Sequence, residues 1–454
     1  MTAATKERAA GSVSVTGSLT PGEAYREDFS RQTVSPDWLA SLRGKGLARF
    51  EALGFPTMKN EDWHFTSVSA IAERAFRAAT QGERRPATIK LADLDRFTFG
   101  ETSWHRLVFV DGIFSEDLSL YAGLGKEAKV SNLARAIASG VGRPERQLGK
   151  IAAFEQHAFT ALNTAFIGDG AFIELPADTV VREPIHLMFV STGRADTVTH
   201  PRNLIVAARH SRATVVESYV SLGDAPYLTN AVTEIHLGEG ARIDHYKIQR
   251  ESESAFHVGT AQARQARNSQ FNSFLFAVGG ALARTNIYTT LEGDAATCTL
   301  DGLYLANGTQ HLDQQTSIEH VAPNCPSHEV YKGILDGRSH GVFNGKVYVH
   351  PEAQKTDGKQ SNNNLLLSKT ARVDTKPQLE IFADDVKCTH GATIGRLDDN
   401  AMFYLNSRGV GREKARMLLT YAFAADVLER IELEPLKRKL EEMVLARFAD
   451  KTAG

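Results

Sequence analysis

Cysteine is scarce in this chain: Cys298, Cys325 and Cys388 are the only three in 454 residues. They are too few and too far apart for a disulfide framework, and the odd number would leave one unpaired. A reducing compartment, and so a cytoplasmic protein, is the expectation. No run approaches 18 apolar residues, and no apolar core follows the basic residues near the N-terminus, so neither a membrane span nor a leader is expected. Charge of one sign is also missing. Lys and Arg number 52 against 54 Asp and Glu, a formal net charge of -2, which gives no reason to expect nucleic acid or a membrane surface as partner. None of the Gly-Lys pairs, Gly44-Lys45 and Gly345-Lys346 among them, is followed by Ser or Thr, so the chain has no P-loop and should not itself be such an ATPase. Cys-x-x-Cys and His-Glu-x-x-His are absent as well.

What is present changes character along the chain. Residues 1–30 are small, polar and aperiodic, and read as a mobile tail unable to bury enough apolar surface to offset ordering entropy. Residues 31–165 read as an N-terminal helical domain. Ser35-Pro36 supplies a helix start, Leu39, Leu42, Leu47, Phe50 and Leu53 lie near one face, and Gly54 and Pro56 stop it. Asn60-Glu-Asp-Trp-His-Phe-Thr66 reads as a turn anchored by Trp63 and Phe65 with His64 in solvent, since nothing nearby completes a metal site. A second helix-rich portion covers about 131–165, broken by Gly142-Arg-Pro144.

From 166 to 400 the runs become strands, among them Phe172–Leu175, Ile185–Val190, Thr214–Val220, Ile243–Ile248 and Phe271–Phe276, rich in β-branched and aromatic residues. Small turn units recur between them, at Gly168–Ala171, His210–Ala213, Gly238–Ala241, Glu292–Ala295, Asp336–Ser339 and Ser368–Ala371, without a fixed period. A strand run this long with no helical patterns inside it excludes a doubly wound α/β fold. A large β-sandwich and a β-helix solenoid remain, and the recurring unit favours the solenoid. Residues 401–454 return to helical period. Leu418, Tyr421, Ala422, Ala425, Leu428 and Ile431 share one face, and Leu436, Leu440, Met443 and Val444 another. These helices either dock a partner or cap the solenoid end.

The densest chemistry lies in Lys387-Cys-Thr-His-Gly391. Two apart in a strand, Cys388 and His390 share a face about 7 Å apart. Thiolate and imidazole both bind iron, iron-sulfur clusters, copper or zinc, but two ligands do not complete a site. Either the rest comes from elsewhere in this chain or from another chain, or Cys388 is a small buried hydrophobe and His390 a turn residue. Asp384 and Asp385 alternate faces and read as turn or solvated residues. Pro323-Asn-Cys-Pro-Ser-His328 offers an isolated Cys-x-x-His. Gly337-Arg-Ser-His-Gly341 matches the nucleophile elbow, but strand rather than helix follows Ser339, so a turn is expected.

Tyr331-Lys-Gly-Ile-Leu-Asp-Gly-Arg-Ser-His-Gly-Val-Phe-Asn-Gly-Lys346, Asp374-Thr-Lys-Pro-Gln-Leu-Glu-Ile381, Asp384–Thr393 and Phe403-Tyr-Leu-Asn-Ser-Arg-Gly409 together resemble the SufB/SufD family of iron-sulfur cluster assembly proteins. Asn60–Thr66 and the Lys-Cys-x-His-Gly-Ala-Thr form are similar to its SufD branch. The resemblance implies a mainly β fold, a right-handed parallel β-helix between N-terminal and C-terminal helical domains. It also implies a non-catalytic scaffold subunit that pairs with SufB through the β-helix, or with itself when alone. The SufC ATPase would dock on the C-terminal helices, for which Leu418, Tyr421 and Leu428 are the expected contacts. His390, with Cys388 as a weaker candidate, would be an interfacial ligand to transient iron or an iron-sulfur cluster shared with SufB. The alternative it leaves is a purely structural partner that stabilises SufB and recruits SufC without giving ligands.

Overall fold

The computed structural model describes residues 21–32, 36–78, 89–100, 103–121 and 128–449. Its centre is a parallel β-solenoid of about eight turns. Each complete turn contributes one strand to each of two facing sheets. Strands of the first sheet begin at 228, 256, 282, 311, 340 and 372, so one turn takes 26 to 32 residues. The recurring turn units had no fixed spacing because they occupy different corners. His210–Ala213, Gly238–Ala241 and Glu292–Ala295 lead from the first sheet to the second, whereas Asp336–Ser339 and Ser368–Ala371 lead back.

Register is in phase from turn to turn, so like positions stack. Ile243, for example, pairs with Ala213 on one side and Phe271 on the other. Alternate residues of both sheets therefore form continuous inward columns, which include Ile205, Ile235, Phe271, Ile287, Leu300, Tyr331 and Phe343. The outward faces are also covered. The first sheet presents Leu228, Phe256, Val258 and Leu282 to Phe50, Phe159 and Leu162 of the N-terminal region. The second presents Ile248, Phe276, Leu303, Leu305 and Ile334 to the C-terminal helices.

The two ends of the solenoid differ. At the N-terminal end, Lys129–Asn132 pairs antiparallel with the first-sheet strand Ala171–Leu175. His105–Val110 adds in parallel to Ile185–Ser191 of the second sheet and carries the antiparallel strand Ile113–Leu120. The N-terminal region is thus not the purely helical domain that the sequence suggests for 31–165: the run Leu107-Val-Phe-Val110 is β-forming and buried, and it closes an edge that would otherwise template further pairing. At the C-terminal end, Arg372–Ile381 and Lys387–Gly395 are the last strands of their sheets.

Residues 21–30, expected as part of a tail, form a helix, because Ala24 and Tyr25 find a partner surface; Tyr25 meets Phe50 edge-on at 5.8 Å. Residues 1–20 lie outside the described residues, as does the expected cap Ser35. The following helix, Asp37–Leu53, starts after Pro36, whose carbonyl accepts the amides of Leu39 and Ala40. Among the described residues no helix is long and apolar enough to cross a membrane.

The C-terminal helices Arg412–Leu428 and Glu434–Ala449 lie along the outer side of the second sheet. They do not cap the solenoid end: most residues of the two last strands stay exposed or half-buried. The buried stripe of the first of these helices is Thr420, Ala424, Val427 and Leu428, rotated from the expected Leu418-Tyr421-Leu428 face. Leu428 is fully buried against the chain's own sheet, so it cannot contact a partner, while Leu418 is 38% exposed and Tyr421 half-buried. Burying an apolar side chain of this size stabilises by roughly 1.5–3 kcal/mol, which is why Leu428 joins the inner stripe.

Candidate functional site

The last strand, Lys387–Gly395, pairs in register with Asp357–Leu366, setting Cys388 beside Gly358 and His390 beside Gln360. Gly358 and Gln360 are buried residues of the inward columns, so Cys388 and His390 face the lumen at the open end of the solenoid. The shared face expected from their spacing is what the structure shows. Cys388 is half-buried and His390 exposed, since their strand is the last of its sheet. The thiol sits over the hollow left by Gly358, where an added Cβ would stand 3.4 Å from Cys388 Sγ and 3.6 Å from Ser327 Oγ. Burial pushes the Cys388 thiol up, so without a metal it stays protonated near neutral pH.

The other sequence candidates fall away from this end. Cys325 is buried in a corner, its thiol donating to the carbonyls of Pro323 and Gly293, while His328 points outward and is exposed. Cys298 is buried in the main core. Ser339 is buried in a corner and donates to the Asp336 carbonyl at 2.7 Å, a turn role. Asp385 sits in the last turn, ion-paired to Lys355 and accepting the Lys355 amide on its carbonyl. Stacking does bring two distant histidines together: His311 and His340 are paired residues of adjacent strands, ring centroids 4.6 Å apart. Each is bound locally, His311 Nε2 to Thr66 Oγ1 and His340 Nε2 to Asp374 Oδ2.

Those bonds also account for Asn60–Thr66, which straps the N-terminal region to the first sheet. Thr66 donates to Asp313 at 2.7 Å, and the Trp63 ring lies under the Arg284 guanidinium at 3.7 Å, with His64 exposed. Among the described residues no group of three or more His, Cys, Asp or Glu is placed to hold a metal. Cys388 and His390 are therefore a partial donor set, a soft sulfur and an imidazole, open on the side where the solenoid stops.

Behind them lies a polar column that sequence reading missed. Glu329, Gln360 and His390 occupy successive turns of one inward row, and Gln360 Nε2 donates to Glu329 Oε2 at 2.7 Å. Burial pushes the Glu329 carboxyl up to about 7, against the lowering effect of the Gln360 bond. In the unfolded chain the group titrates near its ordinary value of 4.5, so between about pH 4.5 and 7 the folded state binds the extra proton and stability falls as pH rises. Glu329→Gln should remove that slope, with a relative gain of about 3 kcal/mol at pH 8 over pH 4.5. Denaturant melts of both chains across this range check it.

Two family models match the chain: "SufBD protein N-terminal region" over residues 25–187, and "SUF system FeS cluster assembly, SufBD core domain" over 189–423. The chain belongs to the SufBD family of iron-sulfur cluster assembly proteins. It is 34% identical over 405 residues to the iron-sulfur cluster assembly protein SufD of Escherichia coli, covering 88% of this chain and 90% of that one. An iron-sulfur cluster assembly SufBD family protein of Synechocystis is 33% identical over 434 residues, 94% of each chain. SufD of Bacillus subtilis is 25% identical over 437 residues, 94% of this chain and 98% of that one. The SufBD core match takes in the solenoid from the end of the strand Ile185–Ser191 onward, its open end and most of the helix Arg412–Leu428.

Proposed function

We propose that this SufD-like chain is a non-catalytic scaffold subunit that pairs through its open solenoid end with a SufB-type chain, with the nascent iron-sulfur cluster held at the junction as cargo. His390 is the ligand this chain supplies, and Cys388 an accessory thiol. The observation that carries the reading is the asymmetry of the ends: one is closed by the chain's own strands, and the other leaves two strand edges and a lumen-facing imidazole for another chain. Phe382, Ile394, Phe403 and Tyr404, each more than half exposed, surround that end and give a partner apolar surface to cover. A SufC-type ATPase would supply the nucleotide chemistry this chain lacks, docking on the outer face of the C-terminal helices around Leu418 and Tyr421.

The partial donor set and the protonated Cys388 thiol favour one other reading, a structural partner that stabilises the SufB-type chain and recruits the ATPase without giving ligands. The two agree on pairing, which is tested by replacing Ile394 and Phe403 together with glutamate. Co-purification of the SufB-type partner should be lost while the melting of the isolated chain is unchanged, because neither side chain is buried. Recovery of the complex at wild-type yield would rule out the open end as the pairing surface. The His390→Ala variant then separates the ligand reading from the structural one.

A further inference from the structure

We infer that Gln360 is the positioning residue of the His390 end: with its carboxamide nitrogen held by Glu329, its oxygen accepts an imidazole N–H from His390 on the next turn and fixes which ring nitrogen faces the cargo. The inference rests on the reading of His390 as a ligand.

Three observations carry it. Gln360 is 4% exposed, and its Nε2 donates to Glu329 Oε2 at 2.7 Å, which sets the orientation of the amide once Glu329 is a carboxylate, above about pH 7, because the reverse would then face oxygen against oxygen. Gln360 Oε1 is thereby left as a buried acceptor without a hydrogen-bond partner, an arrangement that proteins seldom keep without use. His390 is the paired residue on the adjacent strand, about 4.8 Å away along the stack and on the same face. The ring is exposed on the last strand of its sheet, so it can turn down onto that oxygen.

The surroundings favour the bond. A Cβ at Gly345 would collide with Gln360 Nε2, so the glycine on the facing sheet makes room for the amide in this pose. A histidine that gives one N–H to a fixed acceptor holds one tautomer, and its other nitrogen becomes the lone-pair donor. Here the bonded nitrogen would face down the lumen and the free one outward, toward the side a partner chain closes. The column would thus prepare the imidazole before iron arrives, through Glu329 acting on Gln360 and Gln360 acting on His390.

The test reads the imidazole itself. In the full chain with 15N-labelled histidine, His390 is assigned by its loss in His390→Ala, and its ring nitrogens are followed through a pH titration. Wild type should show one neutral tautomer at His390. Gln360→Met, of similar size but without the acceptor, should give a mixture of tautomers, and the exchange Gln360→Glu with Glu329→Gln, which keeps both the donor–acceptor pair and an oxygen facing His390, should restore the single form. In the assembled complex Gln360→Met should weaken iron retention by about 10–100-fold. If Gln360→Met does not fold, Glu329→Met replaces it, since the released amide can turn over and should likewise mix the tautomers. An unchanged tautomer and titration in these variants would overturn the inference. That failure is separable from failure of the ligand reading, which would appear as normal cluster assembly by His390→Ala whatever the tautomer shows.

Discussion

Glu234→Ala should destabilise the chain by about 3–5 kcal/mol, among the largest effects of any single substitution in it. Arg202 and Glu234 are both completely buried, joined by an ion pair whose Nε–Oε1 distance is 2.8 Å. The carboxylate also accepts the backbone amides of Gly149 at 2.8 Å and of Ile151 at 2.9 Å, so it fastens the segment before the helix Ala158–Ala165 onto the first sheet. On the other side, Arg202 Nη1 reaches Asn163 Oδ1 of that helix at 3.0 Å. Removing the carboxylate leaves a buried cation and three amides, those of Gly149, Ile151 and Ala152, without their acceptor, and that uncompensated burial, rather than the strength of the pair, sets the size of the effect. The double replacement Arg202→Leu with Glu234→Leu should therefore cost less than Glu234→Ala alone. Thermal melts of the three chains decide it; a double variant less stable than the single one would mean the pair itself contributes the energy.

The second large effect is functional. His390→Ala should take cluster formation in the assembled complex to near background with the fold intact, because the side chain is exposed and supports no core. Cys388→Ser should have a smaller effect. The thiol is half-buried over Gly358 and is pushed toward its protonated form, so it reaches a metal less readily than the open imidazole. Leu428→Ala would make a misleading control: it opens a cavity between helix and sheet, and loss of complex would then report unfolding of the helix Arg412–Leu428.

Much of this was legible in the residues. The strands announce themselves by β-branched and aromatic runs, and a period of two places Cys388 and His390 on one face. The solenoid period was hidden because turn chemistry is alike at all corners: Gly238–Ala241 and Asp336–Ser339 look similar yet turn in opposite senses between the sheets. The inner stripe of the helix Arg412–Leu428 was misplaced because its apolar residues extend around more than one side, and only the sheet beneath shows that Thr420 and Ala424 point inward. Gln360 and Glu329 were missed since a buried amide or carboxyl has no local signature. The signal was their distance from His390, one and two turns of the coil back, which becomes readable only when the register is known.

His390 is the proposed contribution of this chain to a shared site at the open end. The most direct measurement is co-purification with the SufB-type and SufC-type partners under anaerobic conditions, followed by iron and sulfide determination, for wild type and His390→Ala. The expected result is an intact complex in both cases, with iron and sulfide retained by the wild type and lost from the variant. Equal iron and sulfide in the two complexes would contradict it and leave the chain as a structural partner alone.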